Sequence, residues 1–417
     1  MKRCVSDLAL FGGPPTFAEA LHVGRPNIGN RERLLERIND ILDRRWLSNN
    51  GPYVQSFEEA LAAHVGVRHC VAMCNATVAL EIAIRALGMR GEVIIPSNTF
   101  VATAHALQWQ EIAPVFCDID PLTGNIDPHL IERMITPRTT GIVGVHLWGR
   151  PCDVEAIESV ARRNGLKLLF DASHAFGCTY RGKKIGNFGD AEVFSFHATK
   201  FITSFEGGAI VTNNRDLARR ARLMKNFGFA GYDRVIYIGT NGKMTEVSAA
   251  MGLTSLESFS EFLAVNRTNF ILYRLALEAI PGLHLLPYDE EEECNYQYIV
   301  VDVDESATHI SRDRLLEVLT AEKVLARRYF YPGCHQMEPY RSTFPHSGLL
   351  LPHTERMLRR VLLLPTGTAI TESEIEGISG LLRFAVENAR DINERLDAGV
   401  FGESAARQSF AGEEVWR

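Results

Sequence analysis

The sequence contains no pair of cysteines separated by two residues, and its eight cysteines are scattered along 417 residues. The spacings typical of zinc sites and redox-active pairs are therefore missing. Cys70 and Cys74 flank apolar residues, where a thiol usually behaves as a small hydrophobic group. We expect no metal and no disulfide, and a reducing compartment.

Long apolar runs and positive charge are lacking as well. No apolar stretch approaches the ~18 residues that a membrane-spanning helix needs, and Asp7 interrupts the residues after Lys2 and Arg3 where a signal peptide would be apolar. The net charge of −7 gives no overall basic field for nucleic acid or anionic lipid. We expect a cytoplasmic protein that binds neither nucleic acid nor membrane.

Short apolar runs do alternate with amphipathic stretches between residues 55 and 226. Strands are predicted at Cys70–Cys74, Val93–Pro96, Pro114–Cys117, Gly141–His146, Lys167–Phe170, Glu192–Phe196 and Ala209–Thr212. Helices are predicted between most of them, at Thr77–Leu87, Asp153–Arg163 and Arg215–Lys225. This alternation predicts an α/β fold with a mostly parallel sheet of about seven strands, covered on both faces. Its ligand site should lie at the carboxyl ends of the strands.

The pattern changes after about residue 255. Helices are predicted at Met251–Ile280, Arg312–Glu322 and Glu372–Leu396, and a strand at Tyr296–Val303. We expect an irregular segment at 1–25, a large domain at 26–255, a smaller α+β domain at 256–397 and a disordered tail at 398–417.

Two charged residues follow predicted strands directly. Asp171 comes after an apolar strand, where a carboxylate could pair with a cationic ligand atom or simply cap a turn. Lys200 follows a Phe-rich strand, and lysine is rarely buried unless it is paired or functional. Burial would make its amine a better nucleophile, although its side chain could equally reach the surface. His174 could donate a hydrogen bond to a ligand or be a packing residue.

Two hydroxyl residues and one aromatic residue also lie near the ends of predicted strands or the starts of predicted helices. Thr77 opens a predicted helix, and helix N-termini bind anions, but a plain N-cap would look the same. Ser195 could add a second hydroxyl. Phe100 could stack on a planar ligand or belong to the core. An amine, an anion, a flat ring and a phosphate cup together are what a pyridoxal 5′-phosphate (PLP) site requires.

The order of these residues resembles a known family. The resemblance runs from about residue 26 to 382, and it rests on these segments: Asn75-Ala76-Thr77, Pro96-Ser97-Asn98-Thr99-Phe100, Asp171-Ala172-Ser173-His174-Ala175, Phe194-Ser195-Phe196-His197-Ala198-Thr199-Lys200, Glu206-Gly207-Gly208-Ala209 and Gly239-Thr240-Asn241-Gly242-Lys243-Met244-Thr245. They resemble the DegT/DnrJ/EryC1/StrS sugar aminotransferases, which are fold-type-I PLP enzymes. Asn75-Ala76 departs from the Ser-Gly that many members carry.

The resemblance assigns a role to each candidate. It implies that Lys200 forms the covalent bond to PLP, which cycles through pyridoxamine 5′-phosphate, and that Asp171 pairs with the pyridine nitrogen. The remaining cofactor residues that it implies are His174 at the phenolic oxygen, Phe100 on the ring, Thr77 and Ser195 with backbone help from Ala76 and Val78 at the phosphate, and Asn241 at the phosphate of a neighbouring subunit. An obligate homodimer with shared active sites follows from the last of these.

The resemblance also implies L-glutamate as the amino donor and a nucleotide-linked keto-sugar as the acceptor. His197 in the lysine motif and the segment from Arg327 to His335 look like the branch that aminates C4 of dTDP-4-dehydro-6-deoxy-glucose. Members that aminate C3 remain an alternative. His197, Tyr331 and His335 are predicted to contact the substrate, although the last two could simply pack.

Two other functions are alternatives to transamination. A related pyridoxamine-dependent sugar dehydratase carries histidine in place of the lysine, so Lys200 argues against it. A regulatory protein without enzymatic activity could retain the same fold, because a fold alone does not fix function.

Overall fold

The computed structural model describes residues 2–401. Its strands are β1 (Leu21–His22), β2 (His69–Met73), β3 (Glu92–Pro96), β4 (Ala113–Cys117), β5 (Thr139–Val145), β6 (Lys167–Asp171), β7 (Thr179–Tyr180), β8 (Lys183–Lys184), β9 (Ala191–Ser195), β10 (Gly208–Thr212), β11 (Leu283–Leu285), β12 (Ile299–Val303), β13 (Val324–Leu325) and β14 (Val361–Leu364).

The α-helices are α1 (Arg31–Arg44), α2 (Pro52–Val65), α3 (Ala76–Leu87), α4 (Ala102–Gln108), α5 (Pro128–Ile131), α6 (Val154–Asn164), α7 (Arg215–Met224), α8 (Glu246–Glu257), α9 (Phe259–Glu278), α10 (Glu305–Thr308), α11 (Arg312–Ala321), α12 (Tyr340–Thr343), α13 (Pro352–Arg360), α14 (Glu372–Glu387) and α15 (Ala389–Asp397). Turns of 3₁₀-helix lie at Val5–Asp7, Ala9–Phe11, Glu132–Met134, Leu147–Gly149, Cys334–Gln336 and Ser347–Leu350.

The main sheet has seven strands in the order β2-β10-β9-β6-β5-β3-β4. Only β10 runs antiparallel to its two neighbours. The predicted mostly parallel, seven-stranded α/β sheet is therefore confirmed, with every strand within two residues of its expected ends. The strands are apolar on both sides because helices cover both faces of the sheet.

Polar side chains cap the N-termini of several helices, and the N-cap of α3 is Asn75, whereas Thr77, the expected N-cap, lies inside the helix. Asn75 accepts from the backbone N–H of Val78 at the start of α3, and Thr371 forms a reciprocal capping box with Glu374 at the start of α14. Two long predicted helices are each split in two. Ser258 separates α8 from α9, and Asn388 separates α14 from α15.

A second, antiparallel sheet in the order β11-β12-β14 packs against α9, α11 and α14. The N-terminal segment, predicted to be irregular, contributes Leu8 and Leu21 to this core and pairs β1 in parallel with β13. Buried Glu322 anchors it by accepting from the backbone N–H groups of Ala9 and Thr16. The domain boundaries given above stay a prediction, and most of the predicted tail, 402–417, lies outside the described residues.

Within residues 2–401, no helix is both long and apolar enough to cross a bilayer.

Candidate active site

A cavity of about 320 Å³ opens at the carboxyl ends of the main sheet, as predicted for this fold. Segments that flank β12, β13 and β14 also line this cavity, through Tyr298, Phe330 and Thr366. The lining residues include Thr77, Phe100, Asp171, Ser173, His174, Ser195, His197, Lys200, Glu206, Gln297, Tyr298, Arg327, Tyr329, Phe330 and Thr366.

Asp171 is the last residue of β6 and is only 5% exposed. Its Oδ1 accepts from the backbone N–H of Ser173 at 3.1 Å, and its Oδ2 accepts from the hydroxyl of Thr103 at 2.9 Å. Thr99 lies 2.9 Å from the Thr103 hydroxyl and continues this chain of hydrogen bonds. The carboxylate is thus held from two sides while it faces the cavity.

Lys200 lies in the loop between β9 and β10, five residues after β9 ends. A turn fixes the loop there, because the Lys200 backbone N–H donates to the carbonyl of His197 at 2.9 Å. Burial lowers the pKa of the Lys200 amine to about 8, against the attraction of the Asp171 carboxylate, which raises it. The side chain forms no salt bridge within residues 2–401, so its amine is available to a ligand.

The ring of His174 is 7% exposed and is fixed from behind. Its Nδ1 lies 3.2 Å from the backbone nitrogen of Trp148, which donates to it. Burial first, and the Lys200 charge second, lower the pKa of His174 well below its ordinary value. The ring is therefore neutral, with its proton on Nε2, and can donate one hydrogen bond from that atom.

The first turn of α3 offers a site for an anion. The backbone N–H groups of Ala76 and Thr77 have no acceptor in the described part of the chain, and the dipole of this twelve-residue helix favours negative charge there. Ser195 lies beside them because Gly208 pairs in register with both Met73 and Ser195. A Cβ atom at Gly208 would lie 2.6 Å from the Ala76 nitrogen, so only glycine permits this close approach.

The backbone N–H of Val78 is not available in the same way. It donates to Oδ1 of Asn75 at 2.8 Å, and Val78 does not line the cavity. Since Asn75 stands where many relatives carry serine, this cap is the local consequence of that departure. Among the described residues, the groups that remain free to donate to an anion at the start of α3 are the N–H groups of Ala76 and Thr77 and the hydroxyls of Thr77 and Ser195. We call this group of donors the phosphate cup.

The aromatic residues Phe100, Tyr298, Tyr329 and Phe330 also line the cavity, and we call them the aromatic wall. Phe100 is 55% exposed, and its ring centroid lies 5.9 Å from that of Phe330. Phe330 in turn stacks on His174 at 5.8 Å and on Tyr329 at 5.0 Å. Sequence reasoning missed Phe330, Tyr329 and Tyr298 as site residues, since Tyr298 precedes β12 and the other two follow β13, all outside the predicted parallel sheet.

The other predicted residues fall in different places. His197 lines the cavity, where its Nδ1 accepts from the backbone N–H of Thr199. Tyr331 lies outside the cavity between the guanidinium groups of Arg312 and Arg328. His335 is 2% exposed and also lies outside the cavity. Asn241 is exposed on the surface and does not reach the cavity of its own chain.

The residues of the cavity fit PLP. Unpaired N–H groups at a helix N-terminus suit its phosphate, Asp171 suits its pyridine nitrogen, and Lys200 suits its aldehyde. The cavity also lies within the usual range of ~300–1,000 Å³ for sites of small molecules and cofactors.

Comparison with known proteins places the fold among the aminotransferases. A crystal structure of DesI, determined in the presence of its TDP-sugar product, superposes with a TM-score of 0.91 at 52% sequence identity, covering 94% of this chain and 100% of that one. The aminotransferase PseC of Helicobacter pylori superposes with a TM-score of 0.82 at 27% identity, covering 89% of this chain and 100% of that one.

The sequence comparison is more specific. The DegT/DnrJ/EryC1/StrS aminotransferase family matches residues 29–383, and the chain belongs to this family of PLP-dependent sugar aminotransferases. A relative from Escherichia coli, dTDP-4-amino-4,6-dideoxy-D-glucose transaminase, is 36% identical over 87% of this chain and 98% of its own length. The GDP-perosamine synthase of Caulobacter vibrioides is 35% identical over 87% of this chain and 97% of its own length.

Proposed function

We propose that the protein transfers an amino group from L-glutamate to C4 of a dTDP-linked 4-keto-6-deoxyhexose, with PLP bound covalently to Lys200. The observation that carries this proposal is the arrangement of the cavity. A lysine with a lowered pKa, a buried carboxylate and an unpaired helix N-terminus all face one space of cofactor size.

PLP supplies an electron-withdrawing ring that stabilises negative charge on the carbon next to a bound amine. For this chain, Ala76, Thr77 and Ser195 are proposed to hold the phosphate. Asp171 would keep the ring nitrogen protonated, because a nearby carboxylate favours the cationic form of that nitrogen. His174 would donate from Nε2 to the phenolic oxygen.

Lys200 is proposed to carry out the proton transfers. As a free amine, its Nζ would take the proton from the α-carbon of glutamate. In the second half of the cycle, Nζ delivers a proton to C4 of the sugar. The lowered pKa supports both steps, since a general base works best with a pKa near the working pH.

Two findings support the acceptor. The relatives from Escherichia coli and Shigella dysenteriae, which are 36% and 38% identical, are both named dTDP-4-amino-4,6-dideoxy-D-glucose transaminase. DesI, at 52% identity, was crystallised with a TDP-sugar product. Amination at C3 is the alternative that a product assay must separate, and a GDP-linked sugar is a second one, raised by the relative from Caulobacter.

A homodimer with shared active sites is part of the proposal. Asn241 is exposed and cannot reach its own cavity, so a role at the phosphate requires a neighbouring chain. The nearby segment exposes Phe227, Tyr232 and Ile238, an apolar surface suited to burial against a second copy. We propose that this dimer works in the cytoplasm.

The test combines a spectrum with a product assay. Purified protein loaded with PLP should show a visible absorption band that disappears when L-glutamate is added, and Lys200→Ala should show neither the covalent band nor turnover. With dTDP-4-dehydro-6-deoxy-glucose, the product should carry its amine on C4. Turnover of a C3-keto isomer or a GDP-linked 4-keto sugar in preference to this substrate would overturn the proposed acceptor.

A further inference from the structure

The segment from Arg327 to His335 divides into two parts with different surroundings. Tyr329 and Phe330 line the cavity, whereas Gly333, Cys334 and His335 are buried outside it. His335 stands at the centre of a buried row of polar groups. Its Nδ1 lies 2.7 Å from the hydroxyl oxygen of Ser97, and its Nε2 lies 2.8 Å from Oε1 of Glu355.

The hydrogen bonds of Ser97 fix the direction of this row. The hydroxyl oxygen of Ser97 accepts from the backbone N–H of His335 at 3.1 Å, and Ser97 is 0% exposed. Its own proton has one acceptor nearby, which is Nδ1 of His335. Ser97, the two ring nitrogens of His335 and the Glu355 carboxylate thus each have a hydrogen-bond partner within this row.

This row joins two segments that are far apart in sequence. The 97–103 segment follows β3, and the 327–336 segment follows β13. Two contacts of Cys334 reinforce the junction, since its backbone N–H donates to the Ser97 carbonyl at 3.1 Å and its thiol lies 3.4 Å from the Thr99 carbonyl oxygen. Glu355 ties the junction to α13, and it also accepts from the side chain of Gln336 at 2.8 Å.

Each segment carries one ring of the aromatic wall. Phe100 belongs to the 97–103 segment and Phe330 to the 327–336 segment, and their centroids are 5.9 Å apart. Neither ring is held by a hydrogen bond of its own. The distance between the two rings therefore depends on how firmly their segments are joined, and the row through His335 is the polar part of that junction.

We propose that His335 is a positioning residue for the acceptor sugar, which fixes the gap between Phe100 and Phe330 through Ser97 and Glu355. This inference rests on the proposed function and adds to it, because it assigns Phe330 and its gap from Phe100 to recognition of the sugar, while Phe100 also faces the cofactor ring. His335 then acts without touching the substrate, unlike the direct contact predicted from the sequence.

Three variants test the row. His335→Ala and Ser97→Ala break the junction, whereas Glu355→Gln keeps an oxygen that can accept from Nε2. For the first two we expect KM for the keto-sugar to rise about tenfold, equivalent to ~1.4 kcal/mol, with kcat changed less than about threefold and PLP retained. Glu355→Gln should remain close to the wild type.

Thr308→Val is the matched control. Thr308 is 0% exposed, and its hydroxyl donates to the carbonyl of Ile310 at 2.8 Å, away from the cavity. The control should lower the melting temperature without changing KM for the sugar. If His335→Ala behaves in the same way, the junction only stabilises the fold and the proposal is overturned.

Hydrogen exchange gives a readout that does not depend on turnover. In His335→Ala and Ser97→Ala, backbone amides of both joined segments should exchange faster, while those of Thr308→Val should not. Unchanged exchange in both segments would refute the junction even if the enzyme is a sugar aminotransferase. Faster exchange with a sugar KM equal to that of the wild type would refute the role in recognition. If the enzyme accepts no keto-sugar at all, the exchange result still decides whether His335 joins the segments.

Discussion

The backbone N–H of Trp148 donates to Nδ1 of His174 over 3.2 Å, and this bond determines what the histidine can do. A main-chain donor cannot be removed by changing its side chain, so the ring is held with its only proton on Nε2. Trp148 itself adopts a positive φ of 53°. Such a conformation is uncommon for a residue other than glycine.

His174→Gln should retain most of the activity, because a glutamine amide can donate one hydrogen bond as Nε2–H does. His174→Leu should lower kcat/KM about 10- to 100-fold, the effect of losing one hydrogen bond to a charged oxygen at ~1.5–3 kcal/mol. Steady-state kinetics of both variants measure this. Because the pKa of His174 is held low, the acidic limb of the wild-type pH profile should be unchanged in His174→Gln. If the acidic limb of the pH profile shifts in His174→Gln, the His174 ring is not neutral in the wild type.

The rate of loading the apoenzyme with PLP should depend on pH through Lys200. Only the neutral amine attacks an aldehyde, and burial lowers its pKa to about 8 from an ordinary value of 10.5. We expect the observed rate to rise about tenfold per pH unit below pH 8 and to level off above it. Stopped-flow absorbance at fixed PLP concentration follows the reaction. A rate that keeps rising to pH 10 would mean that the lysine is not perturbed.

The same shift affects stability. Because the pKa of Lys200 is lower in the folded chain than in the unfolded one, burying its charge costs free energy below about pH 8. That cost disappears as the pH rises toward 10.5. Apo Lys200→Met should therefore unfold at a higher denaturant concentration than the apo wild type at pH 7, and the difference should shrink by pH 10. Equal midpoints at pH 7 would argue against a buried charge.

Substitution of Asp171 should lower kcat much more than substitution of Thr103. Asp171→Asn removes the negative charge beside the ring nitrogen and should lower kcat by about 1,000-fold or more, in the range of ~4 kcal/mol. Thr103→Val removes only the 2.9 Å hydrogen bond to Asp171 and should lower kcat by about tenfold. Thr254→Val, at another buried hydroxyl that is away from the cavity, serves as the comparison. Equal losses in Thr103→Val and Asp171→Asn would show that the threonine does more than orient the carboxylate.

Gly208→Ala should weaken PLP binding more strongly than it weakens the fold. The added methyl group would lie 2.6 Å from the Ala76 nitrogen and 2.7 Å from its Cα, so the first turn of α3 must move away. Gly380→Ala is the control, since an added Cβ there meets nothing within 4 Å. It lies inside α14 and should raise stability by ~0.5–1 kcal/mol. Titration with PLP and thermal unfolding separate the two effects, and unchanged PLP affinity in Gly208→Ala would remove Ala76 from the phosphate cup.

The sequence predicts the main sheet well because its strands are short apolar runs separated by capped helices. It predicts the position of Asp171 and Ser195 for the same reason, as residues at the carboxyl ends of parallel strands share one edge. It could not show that Tyr329 and Phe330 face the cavity while Tyr331 faces Arg312 and Arg328. These residues are consecutive in an irregular segment, where no period of two or 3.6 residues tells which side each takes.

The sequence wrongly predicts a single helix where the structure has two, once for α8 and α9 and once for α14 and α15, and the reason is different. The apolar pattern continues across Ser258 and Asn388, so periodicity alone joins the pieces. For the first helix the break accompanies a change of neighbours, because α8 packs against α1 and α2, whereas α9 packs against α14 and β11. Likewise, the Thr103 hydroxyl was not recognised as a partner of Asp171, since 68 residues separate them and only the sheet brings them together.

The anchoring of the N-terminal segment by Glu322 has a consequence for biosynthesis. Leu8 and Leu21 emerge from the ribosome long before Ile378 and Ile392, which complete the core that buries them. Nearly the whole chain must be made before these side chains leave water. Until residues near Ile392 have been made, Leu8 and Leu21 stay exposed on the nascent chain, where folding chaperones can bind them.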